Sequence, residues 1–454
     1  MKIKLPGKDD FLGDFWGALA AMLVALPSSI AFGVTIFAPL GSSFSAFGAV
    51  AGILGAVALG LIASGFGGTK KLISAPCAPA AAVLSAFVIE SLGRSLNPLD
   101  IIIMVTLVIL LAGITQVIFG LIKLGQLIKY MPYPVVSGYL SGVGLYIIAS
   151  QTPTFLGMPK DSHFWESLGN FALWQWQSIV IGLVTAAAMI LAPKVTKTIP
   201  AIIIGLLIGV ASYFVIAFFN PAMLNLEQNA FVIGSINSEG GLVEVIFGKF
   251  SALRSFNFGA VGHLIVPALT LAVLLSIDTL KTCVVLDALT HSQHDSNREL
   301  IGQGLGNITS ACIGGVAGAG QMGATLVNLS SGAKTKLSGV LEGIFALLAF
   351  LALGSLIAWV PIAALAAILI VIGVRMIDTH SFNFLKSRST IFDFIVIVAV
   401  IIVALSVSLI WASAVGVVLA IFLFIREQVG TSIIRRKMSG NKIFSKQIRV
   451  KAES

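Results

Sequence analysis

Apolar residues run through this chain in long blocks, and polar residues are confined to the gaps between them. A helix needs roughly 17–25 apolar residues to cross about 30 Å of hydrocarbon. Blocks near that scale occupy Phe15–Phe37, Phe44–Ser64, Ile101–Leu121, Pro134–Ser150, Ile179–Ala192 with its flanks, and Ile199–Phe219. After a polar segment, 220–257, come Leu264–Lys281, Leu300–Gly315, Gly339–Trp359, Ile362–Ile372, Phe392–Trp411 and Ala414–Ile425. Two more runs, Ala75–Ile89 and Gly320–Leu329, are short and interrupted by proline or glycine. Each stands third in its half, which gives seven segments on either side. An odd number inverts the second half against the first, and paired short segments point to an inverted repeat with its site between them.

The pattern thus predicts an all-α polytopic membrane protein with 14 transmembrane segments, in two inverted seven-segment repeats with half-helices at segments three and ten. The expected divisions are an N-terminus (1–13), a first repeat (14–219), an external connecting segment (220–257), a second repeat (258–428) and a basic tail (429–454). Composition agrees. The 454 residues are 57% hydrophobic and 10% charged, against about 25% charged in soluble domains, and the mean hydropathy is +1.02.

A net charge of +9 suggests nucleic acid until the charges are mapped. With the N-terminus inside, 24 of the 28 lysines and arginines fall on the cytoplasmic side or in the tail, and only Arg94, Lys160, Lys249 and Arg254 fall outside. That is the positive-inside distribution of a membrane protein. Both termini are expected in the cytoplasm, with the chain in a bacterial inner membrane, no nucleic-acid partner, and the tail on anionic lipid headgroups. Cys77, Cys283 and Cys312 are too few and too apolar in setting for a disulfide framework or a metal set. No cofactor is expected, and the first apolar run continues as a span rather than ending in a cleavage site.

Chemistry concentrates between Ser276 and Asn328. SIDTLKTCVVLD places Asp278, Lys281 and Thr282 at membrane depth, and offsets of three and four put them on one helical face. A carboxylate there costs about 2.5–3.5 kcal/mol on insertion scales and faces a partner or a wet cavity. GGVAGAGQMGATLVN then breaks and resumes as a short helix. In the first half, SAPCAPAAAV does the same, with Pro76 and Pro79 flanking Cys77. The free N–H groups and positive dipole of such a helix end form an anion site. Cys77, Ala78, Gln321, Met322 and Gly323, with Gly320 before them, are candidates through their backbone. Gln321 also offers a neutral amide. Thr282 and Thr325 are either hydroxyl donors to a solute or bonded back to their own helices.

In the first span, Pro27 is expected to loosen the helix, with Ser28 and Ser29 facing a cavity or packing against a neighbour. Ser296 and Glu299 have capping-box spacing and are expected to start the ninth span. His291, His294 and Asp295 lack a fourth metal ligand. Glu342, inside the eleventh span, is a candidate proton site, and Asp393 is expected at the interface. Gly138, Gly142 and Gly144 are expected to form a packing surface behind a kinked Met131–Pro134 entry.

SIDTLKT, HDSNRELIGQGLGN, GGVAGAG, LPSSIAFG and GGTKKLISAPCAPA resemble the sulfate permease (SulP) family over about residues 10–430. The resemblance implies the inverted-repeat fold also found in nucleobase permeases. It further implies core and gate domains, an anion held between half-helices three and ten, elevator-like movement, and a homodimer. Sulfate is the family's default substrate, with bicarbonate, chloride and dicarboxylates behind it, carried by proton symport or by exchange.

Three departures stand out. Sodium-coupled bicarbonate members match Asp278 and Thr282 as sodium ligands but carry threonine at the positions of Cys77 and Met322, whose sulfur atoms suit a hard cation poorly. Lys281 then takes the place of sodium beside Asp278; the alternatives are a structural pair or a lysine snorkelling to the interface. Ala324 stands where animal members often have arginine. The usual C-terminal STAS domain is expected to be absent or removed. The competing readings are an uncoupled anion channel, a nucleobase permease (weakened because segment ten offers only Gln321), and an enzyme, for which no nucleophile–base pair is present.

Overall fold

The computed structural model describes residues 8–406 apart from 42–43, 95, 129–132, 160–161, 163, 197–199, 227–228, 235–262 and 387–390, together with positions 415 and 419. Within that range a helix stands at each of the first thirteen expected segments. They are α1 (Lys8–Phe37), α2 (Phe44–Phe66), α3 (Ala78–Gly93), α4 (Pro98–Leu121), α5 (Tyr133–Leu156), α6 (Trp176–Val195) and α7 (Ala201–Phe219). The second half contributes α8 (Ile265–Thr290), α9 (Ser296–Ile313), α10 (Met322–Ser330), α11 (Leu337–Ile357), α12 (Ile362–Met376) and α13 (Ile391–Ser406). The expected fourteenth segment, the tail and most of 220–257 lie outside the described residues, as do Met131 and Pro132. Short strands β1 (Ser74–Pro76) and β2 (Gly318–Gly320) precede α3 and α10.

The helices pack as two groups. In one, α4 packs on α8 and α9, and α1 packs on α2, α10 and α11; in the other, α5 packs on α12 and α13, and α6 on α7 and α12. Contacts of α1 with α7 and α12, and of α3 with α5, join the groups.

Close helix approach in a membrane relies on small residues, since lipid offers no hydrophobic drive between helices. A Cβ on Gly52 of α2 would overlap the Ser29 carbonyl oxygen of α1. Gly113 of α4 and Gly304 of α9 face each other in the same way, each Cβ position lying 2.8 or 2.6 Å from the other's carbonyl oxygen. The glycines of α5 do form a packing surface: Gly138 meets Ile397, Gly142 meets Ala404, and Gly144 meets Gly373.

Three local expectations need correction. Helix α1 continues through Pro27, and Ser28 donates to the Val24 and Ala25 carbonyls at 3.1 and 2.9 Å while Ser29 donates to Ala25 at 2.7 Å. These hydroxyls bond to the helix's own backbone, while Ser29 packs against Gly52 of α2, as the packing alternative expected. Helix α8 runs nine residues past Lys281, because nothing stops it until His291 takes a left-handed conformation at φ 50°. The N-cap of α9 is Asp295, whose carboxylate accepts from the Asn297 and Arg298 N–H groups at 3.1 Å each. Ser296 instead meets His294 Nε2 at 2.9 Å, and His294 Nδ1 lies 2.6 Å from Asp287.

Candidate functional site

The two helix breaks meet. β1 and β2 pair antiparallel, with Ser74 opposite Gly320, Ala75 opposite Ala319, and Pro76 opposite Gly318. Opposed strands aim the helices that follow them in opposite directions, so the N-termini of α3 and α10 flank one small sheet. Proline explains the first break, since Pro76 and Pro79 cannot donate to a helical ladder and Pro79 sits where a first helical turn needs no donor. Glycine explains the second: a Cβ on Gly318 would overlap the Ala75 carbonyl. The N-caps Cys77 and Gln321 are extended, and neither receives a side-chain cap. The first N–H groups of a helix have no carbonyl partner within it, and an anion is favoured at such an end.

Burial shows which side is open. Cys77 and Ala78 are buried, Gln321 and Met322 are half-buried, and Gly323 is exposed, with nothing within 4 Å of the place a Cβ would occupy. Gln321 does not point its amide at that space: Nε2 donates to the Pro76 carbonyl, and its N–H donates to Ile73 at 2.8 Å. Thr325 Oγ1 accepts the Ile73 N–H at 3.1 Å. Both side chains thus fasten α10 to the strand before α3. Ala324 is fully buried, leaving α10 without a cation at this point.

Helix α8 closes a second side. The Thr282 hydroxyl lies 3.0 Å from both the Asp278 and Gly320 carbonyls, to which it is the donor. Thr279 Oγ1 accepts from the Gly320 N–H at 3.0 Å. These bonds lock β2 onto α8 one turn from the Asp278–Lys281 pair, whose Oδ1 and Nζ are 3.2 Å apart. The pair is partly open, with the lysine side chain 38% and the aspartate 17% exposed. The net charge of this corner is therefore balanced from within the chain.

Helix α9 carries a role that segment patterns did not reveal. Glu299, Gln303 and Asn307 recur every four residues along one buried face. Glu299 accepts the Gly68 and Thr69 N–H groups at 2.8 Å each. Gln303 donates to Ser74 of β1 at 2.6 Å and to Glu299 at 2.9 Å. Asn307 engages Gly318 of β2 and the Gln116 side chain of α4. Both strands thus hang from one helix. The spacing i, i+4, i+8 of large polar residues in an otherwise small and apolar span was the available signal.

Ser28 and Glu342 stand apart from this set. The first spends its hydroxyl on α1, and the second is buried in α11 against Gly60. Asp393 lies in the first turn of α13.

Against known proteins, the profile of the sulfate permease family matches residues 11–400. The bicarbonate transporter BicA of Picosynechococcus is 36% identical over 420 residues, covering 90% of this chain and 69% of that protein. The putative sulfate transporter YvdB of Bacillus subtilis is 29% identical, covering 86% and 71%. Among solved structures, the transmembrane domain of a cyanobacterial BicA superposes with a TM-score of 0.74 at 30% identity, covering 90% of this chain and 99% of that one.

Proposed function

Because this chain belongs to the sulfate permease family of anion transporters, we propose that it carries a small oxyanion by alternating access, bound between the N-termini of α3 and α10. It is a multi-pass membrane protein and not an enzyme. The observation that carries the reading is the antiparallel pairing of β1 with β2, which brings two uncapped helix N-termini to one place beside an open Gly323. An anion needs only those N–H groups, which is why Cys77, Ala78, Met322 and Gly323 qualify regardless of side chain.

Sulfate is the first substrate in this reading. Bicarbonate stands beside it, because relatives at 36 and 34% identity are bicarbonate transporters. In our proposal the group containing α1, α3, α8 and α10 moves as an elevator against the group containing α5 and α12. The repeats are 14–219 and 258–428, the protein is a homodimer in contact with membrane lipid, and both termini face the cytoplasm of a bacterial inner membrane.

Sodium does not fit the site as a co-substrate. Cys77 and Met322 present sulfur where a hard cation wants oxygen, and Asp278 already has Lys281 as its partner. Coupling is by proton symport or by anion exchange.

Counterflow of labelled sulfate, with sulfate, bicarbonate, chloride or fumarate trapped inside proteoliposomes, tests this reading. Exchange with at least one oxyanion is the expected result. Steady chloride conductance without counterflow would replace the transporter by a channel on the same fold.

A further inference from the structure

We infer that Glu342 is a proton-binding site of this transporter, enclosed between α11 and a π-helical turn of α2. The inference rests on the anion-transport reading above and identifies the group that takes up the coupling ion. Glu342 is fully buried, and neither carboxyl oxygen has a hydrogen-bond partner among the described residues. The wall opposite is the π-turn Leu59–Ala63 of α2. A Cβ on Gly60 in that turn would stand 2.6 Å from Glu342 Oε2 and 2.7 Å from the Gly343 Cα. Glycine at 60 and 343 therefore leaves a slot into which the carboxyl fits side-on against bare backbone. Single π-turns inside helices recur at functional sites, and they displace carbonyls from the regular ladder; a protonated carboxyl is a donor suited to such carbonyls.

The described surroundings supply no counter-charge. From Phe44 to Phe66, α2 contains no titratable residue. On α1 the acidic and basic groups are Lys8, Asp9, Asp10 and Asp14. Asp14 is committed to the Lys334 and Thr335 N–H groups at 2.7 and 2.9 Å, and α1 meets α11 in this region through a Phe15–Phe345 ring contact. Toward the cytoplasm lies a charged cluster: Lys336 donates to the Gly67 carbonyl, Glu299 receives Gly68 and Thr69, and Arg298 donates to Phe66. Among the described residues no cation pairs with Glu342, so the partner its setting leaves it is a proton. A bare buried carboxylate is otherwise strongly unfavourable. One O–H bond forms at Glu342 when a proton arrives from water on one side of the membrane, and that bond breaks when the proton leaves to the other.

The test uses the full chain in proteoliposomes, with wild type, Glu342→Gln and Glu342→Asp. Infrared difference spectra across a pH titration report the protonated-carboxyl C=O stretch, and a pH gradient with the anion on one side reports proton-driven accumulation. The expected result is a titrating carbonyl band that Glu342→Gln removes, with at least a tenfold loss of proton-driven accumulation while anion counterflow continues. Glu342→Asp is expected to restore part of both signals. A band unchanged in Glu342→Gln overturns the assignment, as does wild-type exchange that no pH gradient can drive. Absence of counterflow in the wild type defeats the transport reading instead, and the band then still decides whether Glu342 takes a proton.

Discussion

Asn307 of α9 grips Gly318 of β2 at both of its backbone groups: the Gly318 N–H donates to Oδ1 at 2.9 Å, and Nδ2 donates to the Gly318 carbonyl at 3.1 Å. A side chain thereby continues the pairing of a strand that has a neighbour on one edge only. Each group left unpaired when buried costs about 1–3 kcal/mol. Asn307→Ala orphans two backbone groups and the Gln116 amide oxygen together, so a loss of at least about 3 kcal/mol is expected. Thermal unfolding in detergent checks it, and Asn307→Asp, which keeps the acceptor and loses the donor, is expected to fall between.

Glycine positions separate packing from site. Gly52→Ala drives a methyl into the Ser29 carbonyl and is expected to reduce folded yield sharply. Gly323→Ala meets nothing within 4 Å and is expected to keep the fold, with stability unchanged or raised by up to about 1 kcal/mol. Gly323→Phe puts a ring in the space before α10. It is expected to leave unfolding near the wild-type temperature while abolishing counterflow.

The Lys281 charge is expected to act on the anion more than on the fold. A partly exposed pair three residues apart contributes on the order of 0.5 kcal/mol to stability. Two unit charges roughly 8 Å apart interact by about 2 kcal/mol at an effective dielectric of 20. Lys281→Gln is therefore expected to raise the half-saturating anion concentration about 30-fold with little change in unfolding.

Lys336, the N-cap residue of α11, gives a pH signature. Its partial burial, and then the Arg298 charge, lower its pKa from the ordinary lysine value. A lysine with a lowered folded pKa binds fewer protons folded than unfolded in the window between the two values. Its penalty is present below the folded pKa and is relieved as pH rises toward the ordinary value. Wild type is thus expected to gain stability as pH rises through that alkaline window, and Lys336→Gln to lose that gain. Unfolding measured as a function of pH for the two proteins decides it.

Much of this was legible in the chain. Proline around Cys77 and glycine before Gln321 announced two broken helices, and their matching ranks announced the repeat. Side-chain partners were not legible, because they depend on distant segments. Gln321 and Thr325 fasten α10 to residues 245 and 252 positions earlier, and no local pattern specifies that. Thr279 was passed over beside Asp278 although its hydroxyl holds Gly320. Ser296 and Glu299 had capping spacing, yet Asp295 took the cap because Glu299 had a better use at Gly68 and Thr69. The end of α8 was missed because a charge at Lys281 marks the edge of an apolar block, not the end of a helix.

The most direct measurement is uptake of labelled sulfate and of labelled bicarbonate into proteoliposomes, with a sodium gradient imposed, removed or reversed at constant pH. Lys281 beside Asp278 leads us to expect oxyanion uptake that is indifferent to sodium in every arm. Uptake that follows the sodium gradient, with Asp278 still paired to Lys281, would contradict it.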